Sequence, residues 1–171
     1  LTKTGSYYVE VAPDQAIWYS QINQNTVGRV YVDNDPETID PADDYEVPFP
    51  GFGPRIIGVD SQGILWAPLG GSGHLGRLDP DTGEWTLWET PGPRKNVPAD
   101  VSGAANFHYA LWVDRHDYSG LGADTVYVMG TDADAIYAFD QETEEFTTYR
   151  IPFPRSTFTR ILINPDYLRE T

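Results

Sequence analysis

Arg55, Tyr109 and Arg160 each stand directly before an aliphatic run, in RIIGVD, YALWVD and RILINP, and His108 precedes Tyr109 by one residue. Guanidinium, phenol and imidazole groups brought to one repeated position can hold an anionic or hydrogen-bonding ligand, and an imidazole adds proton transfer. A different chemistry is crowded into residues 33–44, where Asp33, Asp35, Glu37, Asp40, Asp43 and Asp44 offer the hard oxygens that calcium takes. Their spacing does not reproduce an EF-hand loop, so the segment reads either as a calcium site or as a solvated acidic insertion. Asp132 and Asp134, with Asp117 and Asp124 nearby, form a second acidic group that fits plain exposed turns.

Other chemistries are excluded by residue type. The chain has no cysteine, which removes disulfides, thiolate catalysis and cysteine-based metal sites together. His74, His108 and His116 show no paired-ligand spacing, so no zinc site is expected, and Gly70-Gly71-Ser72-Gly73 reads as a hairpin turn rather than a nucleophile or phosphate loop. Eleven Lys plus Arg stand against 26 Asp plus Glu in the 171 residues, a formal charge of −15 that repels nucleic acid and anionic lipid. No stretch approaches the roughly 18 apolar residues of a membrane span, so no membrane insertion is expected. The opening LTKTGSYYVEV has neither initiator Met nor signal-peptide core, and the chain is expected to be processed or cut from something longer. Acidic, cysteine-free and rich in Trp and Tyr, it suits the periplasm or the cell exterior, with the cytoplasm left open.

The elements that position these groups come from a phrase that occurs three times. Trp66 lies ten residues before Gly76, Trp18 ten before Gly28 and Tyr127 ten before Tyr137; the copies close with YEVPFP, WETPGP and YRIPFP. In the middle copy IIGVD, ILWAPL, HLGRLD and EWTLWE read as four strands, separated by SQG, GGSG and PDTG turns. Four short antiparallel strands make one blade of a β-propeller, whose faces are buried only when neighbours stack on them. The class is therefore all-β, with blades at about 8–50, 55–93 and 107–154, and residues 155–171 as the first strand of a further blade. Two turns are expanded, 32–44 in the first copy and 115–125 in the third. No segment combines helical periodicity with caps.

The run GILWAPLGGSGHLGRLDPDTGEWTLWETPGP resembles the repeat of the virginiamycin B lyase (streptogramin lyase) family of β-propellers. The resemblance implies a seven-bladed ring of which this chain covers part. It also implies, for true lyases, a His just before an innermost strand, with a Glu three residues after the strand-two Trp and a magnesium ion held partly by that Glu. The matching His positions here hold Arg55, Tyr109 and Arg160, and the matching Glu positions hold Gln21, Leu69 and Gly130. No covered blade carries the pair.

Starts of innermost strands surround one mouth of a propeller's central channel, so Arg55, His108, Tyr109 and Arg160 are the candidate ligand-binding residues. The alternative is structural: arginines pairing with acidic turns, and His108 as a hydrogen-bonded loop residue. His108 is one residue out of register with Arg55, a shift that turns a side chain to the opposite face of a strand. Trp18, Trp66, Trp85, Trp88, Trp112 and Tyr127 read as packing residues between blades, with Trp88 expected as the exception. The resulting expectation is a non-catalytic ligand- or protein-binding propeller segment of a larger, extracytoplasmic protein. Its partners would be the rest of its own propeller or another chain, with a small molecule at the channel, no catalytic residues, and no cofactor beyond calcium at 33–44. Two alternatives stand beside it: a lyase- or lactonase-type enzyme whose catalytic blades lie outside this chain, and an arc completed by a second copy.

Overall fold

Runs of β-branched and aromatic residues between Asp, Gly and Pro turns become twelve strands among the described residues, which in the computed structural model are 5–32, 43–48, 53–70, 72–92, 108–131 and 133–151. The first sheet contains β1 (Tyr8–Val11), β2 (Ile17–Gln21), β3 (Thr26–Val30) and β4 (Asp43–Glu46), with a 3-10 turn at Ile22–Gln24. The second contains β5 (Gly58–Val59), β6 (Leu65–Leu69), β7 (His74–Leu78) and β8 (Trp85–Glu89), and the third β9 (His108–Asp114), β10 (Thr125–Gly130), β11 (Ala135–Asp140) and β12 (Glu145–Arg150). Each sheet is an antiparallel meander in chain order. The protein is an all-β partial propeller.

Alternation along each strand sends successive side chains to opposite faces and so builds two cores. Leu65, Ala67 and Leu69 face the first sheet and join Trp18 and Val27 in one cluster, while Trp66 faces the third sheet and joins Leu111, Val126, Val128 and Phe139 in the other. Full burial of each large apolar side chain is worth about 1.5–3 kcal/mol. The repeat is visible in the packing: Trp18 stacks on Tyr45 at 5.8 Å between centroids, and Trp66 stacks on Trp88 at 5.7 Å. The Trp-to-Gly spacing also acquires a cause. Gly76 pairs with Ala67, and a Cβ there would come within 3.0 Å of the Trp85 ring that lies over it.

The turns repeat as well. Asp79 Oδ1 accepts the N–H groups of Asp81 and Thr82, and Asp140 Oδ1 accepts those of Glu142 and Thr143. Each turn ends on a left-handed residue, Gly83 at φ 73° and Glu144 at φ 56°. The backbone N–H groups of Thr143 and Glu142 hold the Asp140 carboxyl below its ordinary range. On the outward face of the first sheet Val9 and Val11 are each 59% exposed, and on that of the third Tyr149 is 43% exposed.

Two expectations change here. The strand at 56–60 contracts to Gly58–Val59, because Ile56 leaves its own sheet to form a parallel bridge with Ala110 and its N–H donates to Tyr109 O. Trp88 is not an exception to packing. It does point away from Trp85, but it is half-buried against Trp66 and Phe139, the latter at 4.9 Å between centroids. The strand expected at 155–171 lies outside the described residues.

Candidate functional site at the channel mouth

The three inner strands β1, β5 and β9 lie side by side at the centre of the arc, and the residues that precede or open them meet at one end. The Arg55 guanidinium lies over the Tyr109 ring at 5.0 Å and over the Tyr7 ring at 5.9 Å, distances at which ring quadrupoles attract a cation. The two phenols are hydrogen-bonded to each other and meet edge to face, with centroids 6.2 Å apart. That bond raises the Tyr7 pKa above its ordinary value, and burial adds to it. Ser20, fully buried, fixes the group from behind: its Oγ donates to Arg55 O at 2.7 Å, and its own carbonyl accepts the Tyr7 N–H at 2.8 Å.

Tyr7 was not among the sequence candidates, although a signal for it exists. It stands eleven residues before Trp18, as Arg55 stands eleven before Trp66. At the opposite end of the inner strands Arg115, from the expanded turn after β9, reaches across to Glu10 of β1 and also approaches Val11 O. The first and third sheets are thus tied across the channel at both ends.

His108 is placed differently from the expectation. The β9–β10 register shifts between Val128 and Gly130, so that His108 rather than Tyr109 pairs with Gly130. The extra residue of this bulge re-aims the side chain. Tyr109 turns to the channel mouth, whereas His108, 1% exposed, is buried between the second and third sheets. Its Nδ1 lies 3.1 Å from Met129 O and its Nε2 beside Thr90 Oγ1. Nδ1–H donates to the carbonyl, while the Thr90 hydroxyl, which donates to Gly73 O at 2.8 Å, stands against Nε2, so both ring nitrogens are engaged by the fold and the ring acts as a structural latch. Arg160 lies outside the described residues.

The other polar candidates are engaged locally. Asp43 pairs with Arg29 at 3.2 Å, and Asp44 accepts the Tyr19 hydroxyl at 2.8 Å; the remaining acidic residues of the 33–44 segment lie outside the described residues. Asp124 accepts the backbone N–H and the hydroxyl of Ser61, and Asp117 the N–H of Gly122, while Asp132 is outside the described residues. At the positions where the lyase resemblance implies Glu, Gln21 accepts the Thr26 hydroxyl, Leu69 is core, and Gly130 lies beneath the Tyr137 ring. None of these three can act as a carboxylate base.

No protein-family model matches the chain, and no curated protein matches it. Solved structures do. A catalytically inactive virginiamycin B lyase from Staphylococcus aureus, crystallised with quinupristin, is 21% identical, with a TM-score of 0.68 over 92% of this chain. A streptogramin B lyase is 22% identical over 92% of this chain and 44% of its own, with a TM-score of 0.64. The extracellular domain of a provisionally assigned one-component system from B. thetaiotaomicron is 15% identical over 97% of this chain and 19% of its own, with a TM-score of 0.60. The chain spans about 45% of the length of the S. aureus lyase, and what it is similar to, across that span, is the β-propeller of the virginiamycin B lyases.

Proposed function

We propose that this chain is a segment of a non-catalytic binding propeller in an extracytoplasmic protein, holding a small molecule or a protein at its channel mouth. The observation that carries the reading is the convergence of Arg55, Tyr7 and Tyr109 at the start of the inner strands. A guanidinium flanked by two phenols supplies directional donors and aromatic surface, the equipment of recognition. No carboxylate or imidazole stands among these three groups, and Gln21, Leu69 and Gly130 stand where a lyase glutamate is implied. Neighbouring blades, from the rest of its own propeller or from another protein chain, cover the outward faces on which Val9, Val11 and Tyr149 are exposed. The charge of −15 disfavours nucleic acid as a partner, and the likeness to an extracellular domain supports a place outside the cytoplasm.

The test is a thermal-shift screen of small molecules and peptides, repeated with Arg55→Ala. Compounds that stabilise the native chain and lose that effect in the variant support the reading; a screen with no Arg55-dependent stabilisation removes it. A second reading, a lyase- or lactonase-type enzyme with catalytic blades elsewhere, draws on the likeness to the lyases. Opening of the quinupristin ring by this chain alone, followed by chromatography, would overturn the non-catalytic assignment. In a third reading two copies close one ring, and its solution mass would be near twice 19.1 kDa.

A further inference from the structure

Between the segment that follows β8 and the β11 and β12 strands of the third sheet lies a cleft of about 430 Å³. Pro91, which follows β8, lines one side, and Ala133, Ala135, Tyr137, Thr148 and Arg150 line the other. Its origin can be read by comparing the blades. Trp88 pairs with Leu75 across β7 and β8, and Tyr149 pairs with Ile136 across β11 and β12, which sets the two sheets in register. In that register Thr148 occupies the position of Leu87, Ala135 that of His74, and Arg150 that of Glu89.

The consequences for shape and charge follow directly. Leu87 packs into the first core, whereas its counterpart Thr148 is shorter, hydroxylated and exposed. Ala135 in place of an imidazole removes more volume. Arg150 reverses the charge found at Glu89, and among the described residues no carboxylate stands within ion-pair distance of it. The third blade has thus exchanged packing atoms for a hydroxyl, a guanidinium and room between them.

We propose that this cleft binds a small carboxylate with an apolar body. The planar guanidinium of Arg150 takes the carboxylate in a two-pronged hydrogen-bonded pair, and the Thr148 hydroxyl donates beside it. The apolar body lies against Ala133, Ala135 and Pro91. The volume falls within the range of small-molecule sites. A single cation on a chain of charge −15 balances a monoanion better than a phosphate dianion, which the surrounding field repels. The site is separate from the channel mouth and does not depend on the reading given to Arg55.

Benzoate is the probe, with benzamide as its neutral isostere and inorganic phosphate as the competing anion. Saturation-transfer NMR and calorimetric titration of the whole chain should show saturable benzoate binding, with benzamide and phosphate at least tenfold weaker. Arg150→Gln should weaken benzoate at least tenfold. Thr148→Leu, which restores the residue of the second blade, should abolish binding, and Arg55→Ala should leave it unchanged. Circular dichroism melts check that each variant is folded, and the benzoate-to-benzamide comparison needs no variant at all. Equal binding of benzoate and benzamide, benzoate binding that survives Arg150→Gln, loss through Arg55→Ala, a preference for phosphate, or no saturable binding would each overturn the assignment.

Discussion

Replacing Asp60 with alanine removes a carboxylate that holds a turn and a tryptophan at once. Asp60 is 1% exposed; its Oδ1 accepts the N–H groups of Gln62 and Ile64, each at 3.0 Å, and its Oδ2 accepts Trp66 Nε1 at 3.0 Å. Hydrogen bonds to a charged group are worth about 1.5–3 kcal/mol each, and a buried donor left without an acceptor costs about 1–3 kcal/mol. The three bonds share one carboxylate and do not add in full, so Asp60→Ala should cost about 3–5 kcal/mol, much of the roughly 5–15 kcal/mol that stabilises a typical domain. Asp60→Asn keeps the oxygen for the two backbone groups but sets an amide N–H against the indole N–H, and should cost about 2 kcal/mol. Urea unfolding followed by far-ultraviolet circular dichroism measures both. Trp66→Phe deletes the indole donor, so the Asp60→Ala/Trp66→Phe cycle should return a coupling of about 1.5–3 kcal/mol. A loss below about 1 kcal/mol for Asp60→Ala with an unchanged denaturant slope, or a cycle that closes to zero, would refute the claim that this carboxylate anchors the inter-blade tryptophan.

Two further outcomes follow from the local chemistry. Burial, followed by the hydrogen bond to Asp44, pushes the Tyr19 pKa up to about 12 from 10.0, so the fold favours the neutral phenol. The stability it contributes is fully present below pH 10 and is lost as pH rises towards 12; Tyr19→Phe should flatten the stability profile in that window and remove one late-ionising tyrosine from the 295 nm titration. Gly83→Ala, at φ 73° in the turn between β7 and β8, should destabilise by about 1–2 kcal/mol, measured as a fall in urea midpoint, whereas glycine at the matching left-handed position of the third sheet, Glu144→Gly, should leave stability within about 1 kcal/mol of the native chain.

The meander is readable from sequence because its turns carry their own chemistry: Asp79, just ahead of PDTG, presents a carboxylate to the N–H groups of Asp81 and Thr82, and Gly83 is free to adopt positive φ. The Trp-to-Gly spacing is readable for a similar reason, since register opposes Ala67 to Gly76 and leaves space for one ring. What the sequence does not reveal depends on non-local geometry. His108 and Tyr109, as strand neighbours, face opposite ways, and the bulge at the β9–β10 pairing decides which of the two is buried. Nothing in the string HY marks a bulge. Trp88 has the composition of an exposed platform until Phe139, more than fifty positions later, is seen to close over it. Arg115 lies in an expanded turn, and its reach to Glu10 is set by curvature accumulated over two blade interfaces.

That reach changes how the arc holds together. In a stack of repeats where each unit touches only the next, stability is a sum of unit terms and adjacent-interface terms, and an end unit can open alone. The Glu10–Arg115 pair and the Tyr7–Tyr109 bond skip the middle sheet and connect its two neighbours directly. They add a term between next-nearest units, so fraying of either end breaks contacts belonging to both ends. The inner strands thereby behave as a keyed hub, and cooperativity runs across the axis as well as around the rim.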